Sequence, residues 1–271
     1  MRLVSFNING IRSRLHQLSE VVTRHRPAVL GLQEIKVADD AFPVDEVATL
    51  GYHTRYFGQK GHYGVALMGQ SAPARVQRGF PWDPEDAQRR FIAATYVTPS
   101  LGELTVLNGY FPQGESRTHA VKFPGKARFY ADVLRYLREH CDPAAAVVLM
   151  GDLNVSPTDL DIGIGEDSRK RWLKDGKCSF LPEEREWFET LLGWGLDDLY
   201  RTRRPGDTSQ FSWFDYRSFG FEKEPRRGLR IDFILGTASV AARLKDVGID
   251  YDTRAMAKPS DHCPVWVDLE D

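Results

Sequence analysis

The amino-acid sequence predicts an α/β fold in which two packed β-sheets carry helices on their outer faces. Short apolar runs typical of strands recur along the whole chain, and segments with helical periodicity lie between some of them. Several of the strand-like runs follow one another without an intervening helix. This last observation favours two packed sheets over a singly wound parallel sheet.

The predicted strands share apolar or alternating residues and turn-forming neighbours. They are RLVSFNI, AVLGLQEI, YGVALM, RFIAATYV, LTVLNGYF, AVVLMGDLNV, LRIDFIL and CPVWVDL. Three helices are predicted, over SRLHQLSEVVTRH, KARFYADVLRYLREH and PEEREWFETLLGWG. The third begins with Pro and acidic residues and ends on Gly, as helix termini prefer.

Length and composition predict a single domain over residues 1–271, because the chain has no long linker, sequence repeat or low-complexity segment. The chain has 36 Lys and Arg against 38 Asp and Glu, giving a net charge of −2. This balance does not indicate a nucleic-acid partner by itself, but it allows a local basic surface on a neutral body.

The cysteines and the apolar runs bear on the compartment. Cys141, Cys178 and Cys263 are an odd and sparse set without CxxC spacing, which argues against a disulfide framework and a zinc knuckle. The first residues, MRLVSFNING, are typical of a first strand and not of a signal peptide. No apolar run approaches the length that spans a bilayer. A reducing, cytoplasmic location without membrane association is therefore expected.

Polar residues collect at the ends of several predicted strands, where a core would not select them. They are Asn7, Asn9, Gln33, Glu34, Asp152, Asn154, Asp232, Asp261 and His262. Burying one charge without a partner costs on the order of several kcal/mol. We therefore expect these side chains to meet at one end of the sheets, where they would share a cation and hydrogen bonds.

Each of these residues also has an ordinary structural interpretation. Asn7 and Asn9 could simply start a turn, which is the more usual interpretation of an isolated NING segment. Asp152 in GDLNVSP could belong to an Asx turn that caps a helix. A lone buried acid such as Asp232 is more often a satisfied structural residue than a catalyst. The accumulation of such residues at five separate strand ends favours a functional site.

The types of side chain indicate the chemistry of that site. Carboxylates and amides with a single His and no Cys suit a hard cation such as Mg²⁺ or Mn²⁺. A hard cation, a His and amide donors together suit the attack of water on a phosphodiester, because the cation and donors stabilise charge on the phosphoryl oxygens.

The segment PSDHCPVW raises the question of which acid orients His262. Adjacent side chains of an extended segment point to opposite faces, so Asp261 is poorly placed to hold the neighbouring ring. Asp232 lies in another predicted strand between Ile231 and Phe233. It could accept the second ring N–H, fix the tautomer and stabilise the imidazolium.

The whole chain resembles the bacterial exonuclease III family of abasic-site endonucleases, within the endonuclease/exonuclease/phosphatase superfamily. The motifs that carry the resemblance are, in order, FNINGIR, LQEIK, GHYGVAL, NGYFPQGE, GDLNVSPTDLDIGIGE, FSWFDYRS, GLRIDF and PSDHCPVW. LQE, GDLN and SDH alone would indicate only the superfamily, whereas NGYFPQGE and FSWFDYRS with GLRID are more specific. The resemblance implies a four-layered α/β sandwich with its active site at one edge.

The resemblance also implies a metal site that uses Mg²⁺ or Mn²⁺. Glu34 is the principal ligand, Asn7 lies nearby, and Asp261 is a further ligand or a neighbouring acid. The full set of expected metal-site residues is Asn7, Glu34, Asp152, Asn154, Asp261 and His262. This ligand set is compatible with one or with two metal ions.

The catalytic residues implied by the resemblance are Tyr110, Asp152, Asn154, Asp232 and His262. Asp152 orients or deprotonates the attacking water, and Asn154 stabilises the transition state. His262, held by Asp232, contacts the scissile phosphate or acts as the base. Tyr110 lies by the phosphate or the leaving group.

The expected substrate is double-stranded DNA with abasic sites or 3′ ends, cleaved 5′ to the abasic site or digested 3′→5′, with removal of 3′-blocking groups. The expected substrate-binding residues are Asn9, Lys60, Tyr63, Gln113, Lys122, Arg169, Trp213, Arg217 and Leu229. Trp213 would wall a pocket for a baseless sugar, with Phe211 and Leu229 as neighbours, although a Trp in a strand-like run is usually a core residue. A monomer without an obligatory protein partner is expected.

Basic segments offer phosphate contacts that a net acidic chain must localise. RKRWLKDGK, expected as a loop at the active-site edge, and RTHAVKFPGKAR supply Arg169, Lys170, Arg171, Lys174, Lys177, Arg117, Lys122, Lys126 and Arg128. Taken alone, the first segment is more typical of a solvated face with one anchored aromatic residue. Two alternatives to the nuclease are a phosphatase for a small phosphorylated molecule or lipid, and a DNA-binding module without activity.

Two features depart from the family pattern. Cys263 follows Asp261 and His262 where a small residue such as Ala is expected. The loop Phe219–Arg227 is the least similar segment, and it bears on the balance of endonuclease and exonuclease activities.

Overall fold

Two six-stranded mixed β-sheets pack face to face in the computed structural model, which describes residues 1–270. The first sheet contains β1 (Arg2–Asn7), β2 (Val29–Gln33), β3 (His53–Phe57), β4 (Val65–Gly69), β11 (Leu244–Ile249) and β12 (Val265–Leu269), in the order β11-β12-β1-β2-β4-β3. The second contains β5 (Arg75–Arg78), β6 (Phe91–Thr98), β7 (Gly102–Tyr110), β8 (Ala146–Asp152), β9 (Leu196–Asp198) and β10 (Asp232–Thr237), in the order β5-β6-β7-β8-β10-β9.

Helices surround the two sheets. They are α1 (Leu15–His25), α2 (Val44–Ala48), α3 (Lys122–His140), α4 (Glu166–Lys174), α5 (Pro182–Gly193), α6 (Leu199–Arg203), α7 (Ala238–Ala241) and α8 (Tyr251–Arg254). α1 packs on the first sheet, and α3 and α5 pack on the second. The predicted arrangement of two packed sheets flanked by helices is confirmed. None of the helices within residues 1–270 is long and apolar enough to cross a membrane.

The core has three layers of apolar contacts because the strands alternate their side chains between two buried faces. In β1, Leu3 faces the second sheet, whereas Val4 and Phe6 face α1. In β8, Val148 faces the first sheet and Leu149 faces α3. This alternation of side chains determines which face of the sheet each polar residue at a strand end occupies.

The predicted strands and helices are present with small shifts of their ends. α3 begins at Lys122, four residues before the predicted start, and α1 begins at Leu15. Four strands lay outside the predicted runs, namely β3, β5, β9 and β11. All four lie at the edges of the sheets, where the hydrophobic pattern of a strand is weak.

The basic segment RKRWLKDGK does not form the expected loop, since most of it lies in α4. Glu166 and Asp167 occupy the first turn of this helix, and Arg171 and Lys174 occupy its last turn. Acidic residues at the amino end and basic residues at the carboxyl end stabilise a helix through its dipole. The charge pattern that suggested a phosphate-binding loop is thus also a helix-forming pattern.

The contact between α1 and α8 fixes the segment that leads to His262. Gln17 of α1 donates to the Thr253 carbonyl at 2.7 Å and accepts from the Ser260 N–H at 2.9 Å. Asp250 accepts hydrogen bonds from the Thr253 hydroxyl at 2.7 Å, from His25 at 2.8 Å and from Arg24 at 3.0 Å. Burial alone would raise the pKa of Asp250, but these donors lower it to about 2.

Replacing Asp250 by Asn is expected to reduce stability in a pH-dependent way. Because its pKa in the folded protein lies below its usual value of 3.8, the carboxylate stabilises the fold above that pH, and the stabilisation is lost as pH falls toward about 2. Asp250→Asn should lower the free energy of unfolding by about 2 kcal/mol at neutral pH. Denaturant titrations of both proteins should show the difference shrinking below about pH 4. The control is Asp252→Asn, at a highly exposed site; a pH-independent difference for Asp250→Asn would contradict this account.

Candidate active site

Polar residues from both sheets meet at one edge of the sandwich. The edge is formed by the carboxyl ends of β1, β2, β7 and β8 and by the amino ends of β10 and β12. Strand register brings residues together there: Asn7 pairs with Gln33, and Asp152 pairs with both Tyr110 and Asp232. The parallel pairs β1–β2 and β7–β8 each end their strands at this edge, so the polar ends lie side by side.

Strand parity turns these polar side chains into the space between the sheets. Asn7 shares the inward face of β1 with Leu3, and Asp152 shares that of β8 with Val148. Asp232 is likewise on the side of β10 that packs against the other sheet. The residues that the sequence places at separate strand ends are therefore brought into one buried cluster.

His262 and Asp232 form the hydrogen-bonded pair that the sequence predicted. The Nδ1 atom of His262 lies 2.9 and 3.1 Å from the two carboxylate oxygens of Asp232. Both side chains are buried. The Ser212 hydroxyl accepts the N–H groups of Ile231 and Asp232, each at 3.0 Å, which fixes the start of β10.

The second ring nitrogen of His262 faces the other carboxylates. Its Nε2 atom lies 3.7 Å from Asp152 Oδ2. Burial lowers the pKa of His262, but Asp232 and Asp152 outweigh burial and raise it. Burial raises the pKa of Asp152, and the nearby Asp232 and Glu34 carboxylates raise it further against the opposing effect of His262. Asp152 thus holds a proton more readily than the neighbouring Glu34.

Glu34 lies just beyond β2 in a left-handed backbone conformation, with φ of 51°. Lys36 reaches its carboxylate at 2.7 Å, and Asn7 donates to the other oxygen at 2.9 Å. Burial would raise the pKa of Glu34, but Lys36 and Asn7 together lower it. Glu34 is therefore held as a carboxylate beside Asp152.

Asn7 joins the carboxylates of the two sheets. Its amide nitrogen donates to Glu34 and also to Asp152 Oδ2, both at 2.9 Å. Its side-chain oxygen accepts the N–H of Asn9 at 3.1 Å. In this orientation Asn7 presents N–H groups to the carboxylates, so it contacts the metal-site residues without offering them an oxygen.

The carboxylate of Asp261 accepts hydrogen bonds from two side chains. Asn9 donates to its Oδ1 at 2.8 Å and the indole N–H of Trp213 donates to its Oδ2 at 3.0 Å. Burial would raise the pKa of Asp261, while His262, Trp213 and Asn9 lower it. The ionised side chain thus anchors Trp213 at the rim of the site, and its expected role at the metal stays a prediction.

The donor set suits a divalent cation. Glu34, Asp152 and His262 each offer a ligand atom, and these atoms lie within 4.8 Å of one another. Two carboxylates with one imidazole match the preferences of Mg²⁺ and Mn²⁺ for oxygen ligands. Of the six residues expected at the metal, these three form the compact group, and Asn7, Asn154 and Asp261 surround it.

Tyr110 lies at the end of β7 between Glu34 and Arg90. The Arg90 guanidinium stacks over the rings of Tyr63 and Tyr110 at 4.1 and 4.5 Å, and it donates to the Tyr110 carbonyl at 3.0 Å. Burial and the carboxylates of Glu34 and Asp152 raise the pKa of Tyr110. Its hydroxyl therefore stays protonated and can donate a hydrogen bond to an anionic group. No sequence pattern identified Arg90 as a residue that contacts Tyr63 and Tyr110.

A cleft of about 340 Å³ opens from these residues to solvent. Its walls include Trp172, Trp213, Lys177 and Ile231, and its floor includes Asp152 and His262. Trp213 forms β-bridges with His262 and with the buried Leu229. Phe211, expected as another neighbour of Trp213, packs instead with Phe214 and Cys263. The buried Cys263 has the packing of a small hydrophobic residue.

The other expected substrate-binding residues differ in position. Gln113 and Arg217 line the cleft, and Lys60 is exposed before Tyr63. Lys122 forms an exposed ion pair with Glu115 at 2.5 Å, and Arg169 pairs with Asp159 at 2.6 Å. Both cations therefore have protein partners that a DNA phosphate would have to replace.

One of two basic residues from the candidate phosphate-binding segments differs from its sequence interpretation. Lys126, grouped with the candidate phosphate contacts, is fully buried and pairs with Glu184, so it is not available to DNA. Lys177 is exposed and its ammonium lies 3.7 Å from the centre of the Trp172 ring at the cleft wall. Lys126 is buried against Glu184, which lies 58 positions away in α5, and local composition does not reveal this contact.

Comparison with known proteins gives the family. The model of the Endonuclease/Exonuclease/phosphatase family matches residues 4–262. The chain belongs to this family. Exodeoxyribonuclease III of Haemophilus influenzae is 56% identical over 270 residues, which cover all of both chains. The family resemblance inferred from the motifs is confirmed.

Solved structures of this Endonuclease/Exonuclease/phosphatase family have the same fold. The 3′ phosphatase NExo from Neisseria, solved with a product DNA hairpin, matches with a TM-score of 0.90, 35% identity and full coverage of both chains. An AP endonuclease from Archaeoglobus fulgidus matches with a TM-score of 0.89, 31% identity and full coverage of both chains. The architecture of two sheets with helices outside is therefore the family fold.

The pairing of His262 with Asp232 is testable by turnover. Asp232→Asn should lower turnover by at least roughly 100-fold while the protein stays folded, because the amide can favour the wrong tautomer of the imidazole. His262→Asn should be similarly damaging, and the double variant should be little worse than either single variant. The control is Asp197→Asn, at an exposed position on the neighbouring strand. Near-normal turnover in Asp232→Asn would reject the pairing.

Trp213 can be tested as a pocket wall against a core residue. Because Trp213 is only partly buried, Trp213→Ala should cost less than the roughly 3–5 kcal/mol of a core aromatic, but it should reduce abasic-site incision by at least about 10-fold. The matched control is Phe214→Ala, since Phe214 is fully buried. Melting curves, together with rates on abasic and intact duplexes, distinguish these two roles of Trp213. A large loss of stability with an unchanged preference for abasic DNA would identify Trp213 as a core residue.

Proposed function

We propose that this chain is a metal-dependent DNA repair phosphodiesterase of the exonuclease III type. It hydrolyses the phosphodiester 5′ to an abasic site, digests duplex DNA 3′→5′ and clears 3′-blocking groups. The observation that carries this proposal is the buried cluster of Glu34, Asp152 and His262 with Asp232 at the floor of a solvent-accessible cleft. The full-length relative named exodeoxyribonuclease III supports the same reaction class.

The roles of the residues follow from their positions. Asp152 lies within the cluster and has a raised pKa, so it can accept a proton from the attacking water. His262, oriented through Nδ1 by Asp232, presents Nε2 toward the scissile phosphate. Tyr110 keeps its proton and donates to a phosphate or leaving-group oxygen. Asn154 stabilises the transition state through hydrogen bonding.

Glu34 is the principal residue that would hold the metal, with Asp152 and His262 beside it. A bound Mg²⁺ or Mn²⁺ supplies charge stabilisation on the phosphoryl oxygens. Lys36 and Asn7 keep Glu34 ionised, and an ionised carboxylate is the form that binds a cation. The proposal includes Mg²⁺ or Mn²⁺ as the cofactor.

The substrate proposed is double-stranded DNA with an abasic site or a free 3′ end. Trp213 and Trp172 give the cleft rigid aromatic walls, and Lys177 and Arg217 give it positive charge at the rim. A pocket that admits a flipped sugar without its base selects abasic DNA by size, since no base edge is present to be read. The protein acts in the cytoplasm as a monomer.

A labelled duplex that carries one abasic site tests the function. Cleavage with Mg²⁺ and none with chelator is expected. Binding without cleavage would support an inactive DNA-binding module. Inertness on DNA with release of phosphate from a small phosphorylated compound would support the phosphatase alternative.

The metal role of Glu34 gives a sharper prediction. Glu34→Ala should reduce turnover by roughly 100-fold or more and weaken Mg²⁺ binding in calorimetric titration, because the principal carboxylate ligand is lost. DNA affinity should change only modestly, since phosphate contacts supply most of it. Glu103→Gln is the control, since Glu103 is an exposed acid at the start of β7, away from the cleft. Unchanged Mg²⁺ binding in Glu34→Ala would count decisively against this role.

A further inference from the structure

Lys126 of α3 is a fully buried lysine directly behind the active site. Its ammonium donates to Glu184 Oε1 at 2.5 Å and to the carbonyl oxygen of Asn154 at 2.7 Å. The carbonyl oxygen of Gln113 lies 3.4 Å away. Removing an ammonium and a carboxylate from water costs several kcal/mol for each ion. The buried pair also contacts the backbone at Asn154 and at Gln113, which line the active-site cleft. It therefore helps to hold these two segments in place.

The first two backbone carbonyls after β8 accept hydrogen bonds from side chains of α3, while the Leu153 N–H still donates to the Ile231 carbonyl at 2.9 Å. The carbonyl of Leu153 accepts from the Tyr130 hydroxyl at 2.7 Å, and the carbonyl of Asn154 accepts from Lys126. Lys126 and Tyr130 are four residues apart in α3, so they lie on one face of that helix. Two donors one turn apart thus bind two consecutive carbonyls. Asn154 needs such support because its backbone is left-handed, with φ of 54°.

The Asn154 backbone in turn fixes the catalytic groups around it. Its N–H donates to Asp152 Oδ1 at 3.0 Å, and its side-chain amide donates to the carbonyl of Phe111 at 3.0 Å. The Asn154 N–H belongs to the Leu153–Asn154 peptide, whose carbonyl accepts from Tyr130, whereas the Asn154 carbonyl bound by Lys126 belongs to the following peptide. The two donors of α3 thus restrain the peptides on both sides of the Asn154 Cα atom, and with them the direction of its side chain.

Lys126 also supports the second segment of the cleft. Gly114 has φ of 86°, and a Cβ atom built on it would lie 3.0 Å from Cδ of Lys126. The backbone at Gln113 and Gly114 thus packs against the lysine side chain. Gln113 also lines the cleft. Glu184 keeps the ammonium in place, since its other oxygen accepts the Leu181 N–H at 2.8 Å at the start of α5.

We propose that Lys126 and Glu184 form a positioning pair for catalysis, which holds the backbone of Asn154 in its active conformation without touching substrate. This inference rests on the proposed function and adds residues to it. The alternative hypothesis is that the pair only stabilises the packing of α3 against α5. A pair that acts only on stability would affect turnover only through the amount of folded protein.

The test uses the neutral double variant Lys126→Met with Glu184→Gln in the full-length protein. Gln at this position keeps the acceptor for Leu181, and no unpaired charge is left buried. On a duplex with one abasic site and saturating Mg²⁺, kcat per folded molecule should fall roughly 10- to 100-fold, since small displacements of catalytic groups have effects of this size. KM should change by less than about 3-fold, because the pair does not contact DNA.

A double-mutant cycle with Asn154→Ala shows whether the effect passes through Asn154. In the Asn154→Ala background, the added double variant should change kcat by less than about 3-fold, since the group to be positioned is already absent. Thr237→Val is the matched control. Its buried hydroxyl donates to the Ala145 carbonyl at 2.7 Å, at the opposite end of β8. That variant should keep wild-type kcat whatever its loss of melting temperature.

The outcomes separate the two hypotheses. A double variant with kcat within about 2-fold of wild type, or with a loss that adds fully to that of Asn154→Ala, would overturn the positioning role. If that double variant does not fold, Lys126→Gln with Glu184→Gln is used under the same criteria, since the amide introduced in place of Lys126 would be one atom too short to reach the Asn154 carbonyl. A wild-type enzyme inert on abasic DNA would overturn the proposed function together with this inference, whereas an active wild type with an unaffected variant would overturn the inference alone.

Discussion

The site depends on burying carboxylates from two sheets at one edge of the sandwich. Asn7 makes this arrangement stable, because its single amide group donates to Glu34 of its own sheet and to Asp152 of the opposite sheet. A displacement of one sheet along the other would break one of these bonds and leave a buried carboxylate with fewer donors, which is costly. The distance between the catalytic groups is therefore set by the packing of the two sheets.

The remaining charges are arranged around this bridge. Lys36 compensates Glu34, and His262 lies between the carboxylates of Asp232 and Asp152. The pKa values consequently diverge within a few ångströms, since that of Glu34 is lowered and that of Asp152 is raised. In the proposed mechanism, Glu34 holds the cation and Asp152 exchanges a proton, and this divergence of pKa values suits the two carboxylates to those tasks.

The sequence predicted the two sheets and most of the residues that meet at their edge, because both follow from local pattern. Polar residues at the ends of apolar strands are visible in the chain, and Asp232 was identified as the partner of His262 by its place between Ile231 and Phe233. The burial of Lys126 was not visible, since it depends on Glu184, a residue 58 positions away in another helix. The helix α4 was missed because its charges were interpreted as a binding surface, although their order along the chain also favours a helix. Long-range packing explains the first error, whereas the second arose because one local charge pattern fits both a binding surface and a helix.

We propose that the two sheets assemble one catalytic site at their shared edge. A crystal structure of the wild-type protein with an abasic duplex and Mn²⁺ would test this proposal, since anomalous scattering locates the cation. We expect a cation bound by Glu34, a DNA phosphate within hydrogen-bond distance of His262 Nε2, and the baseless sugar against Trp213. A cation bound away from Glu34, or a phosphate that contacts residues of only one sheet, would contradict it.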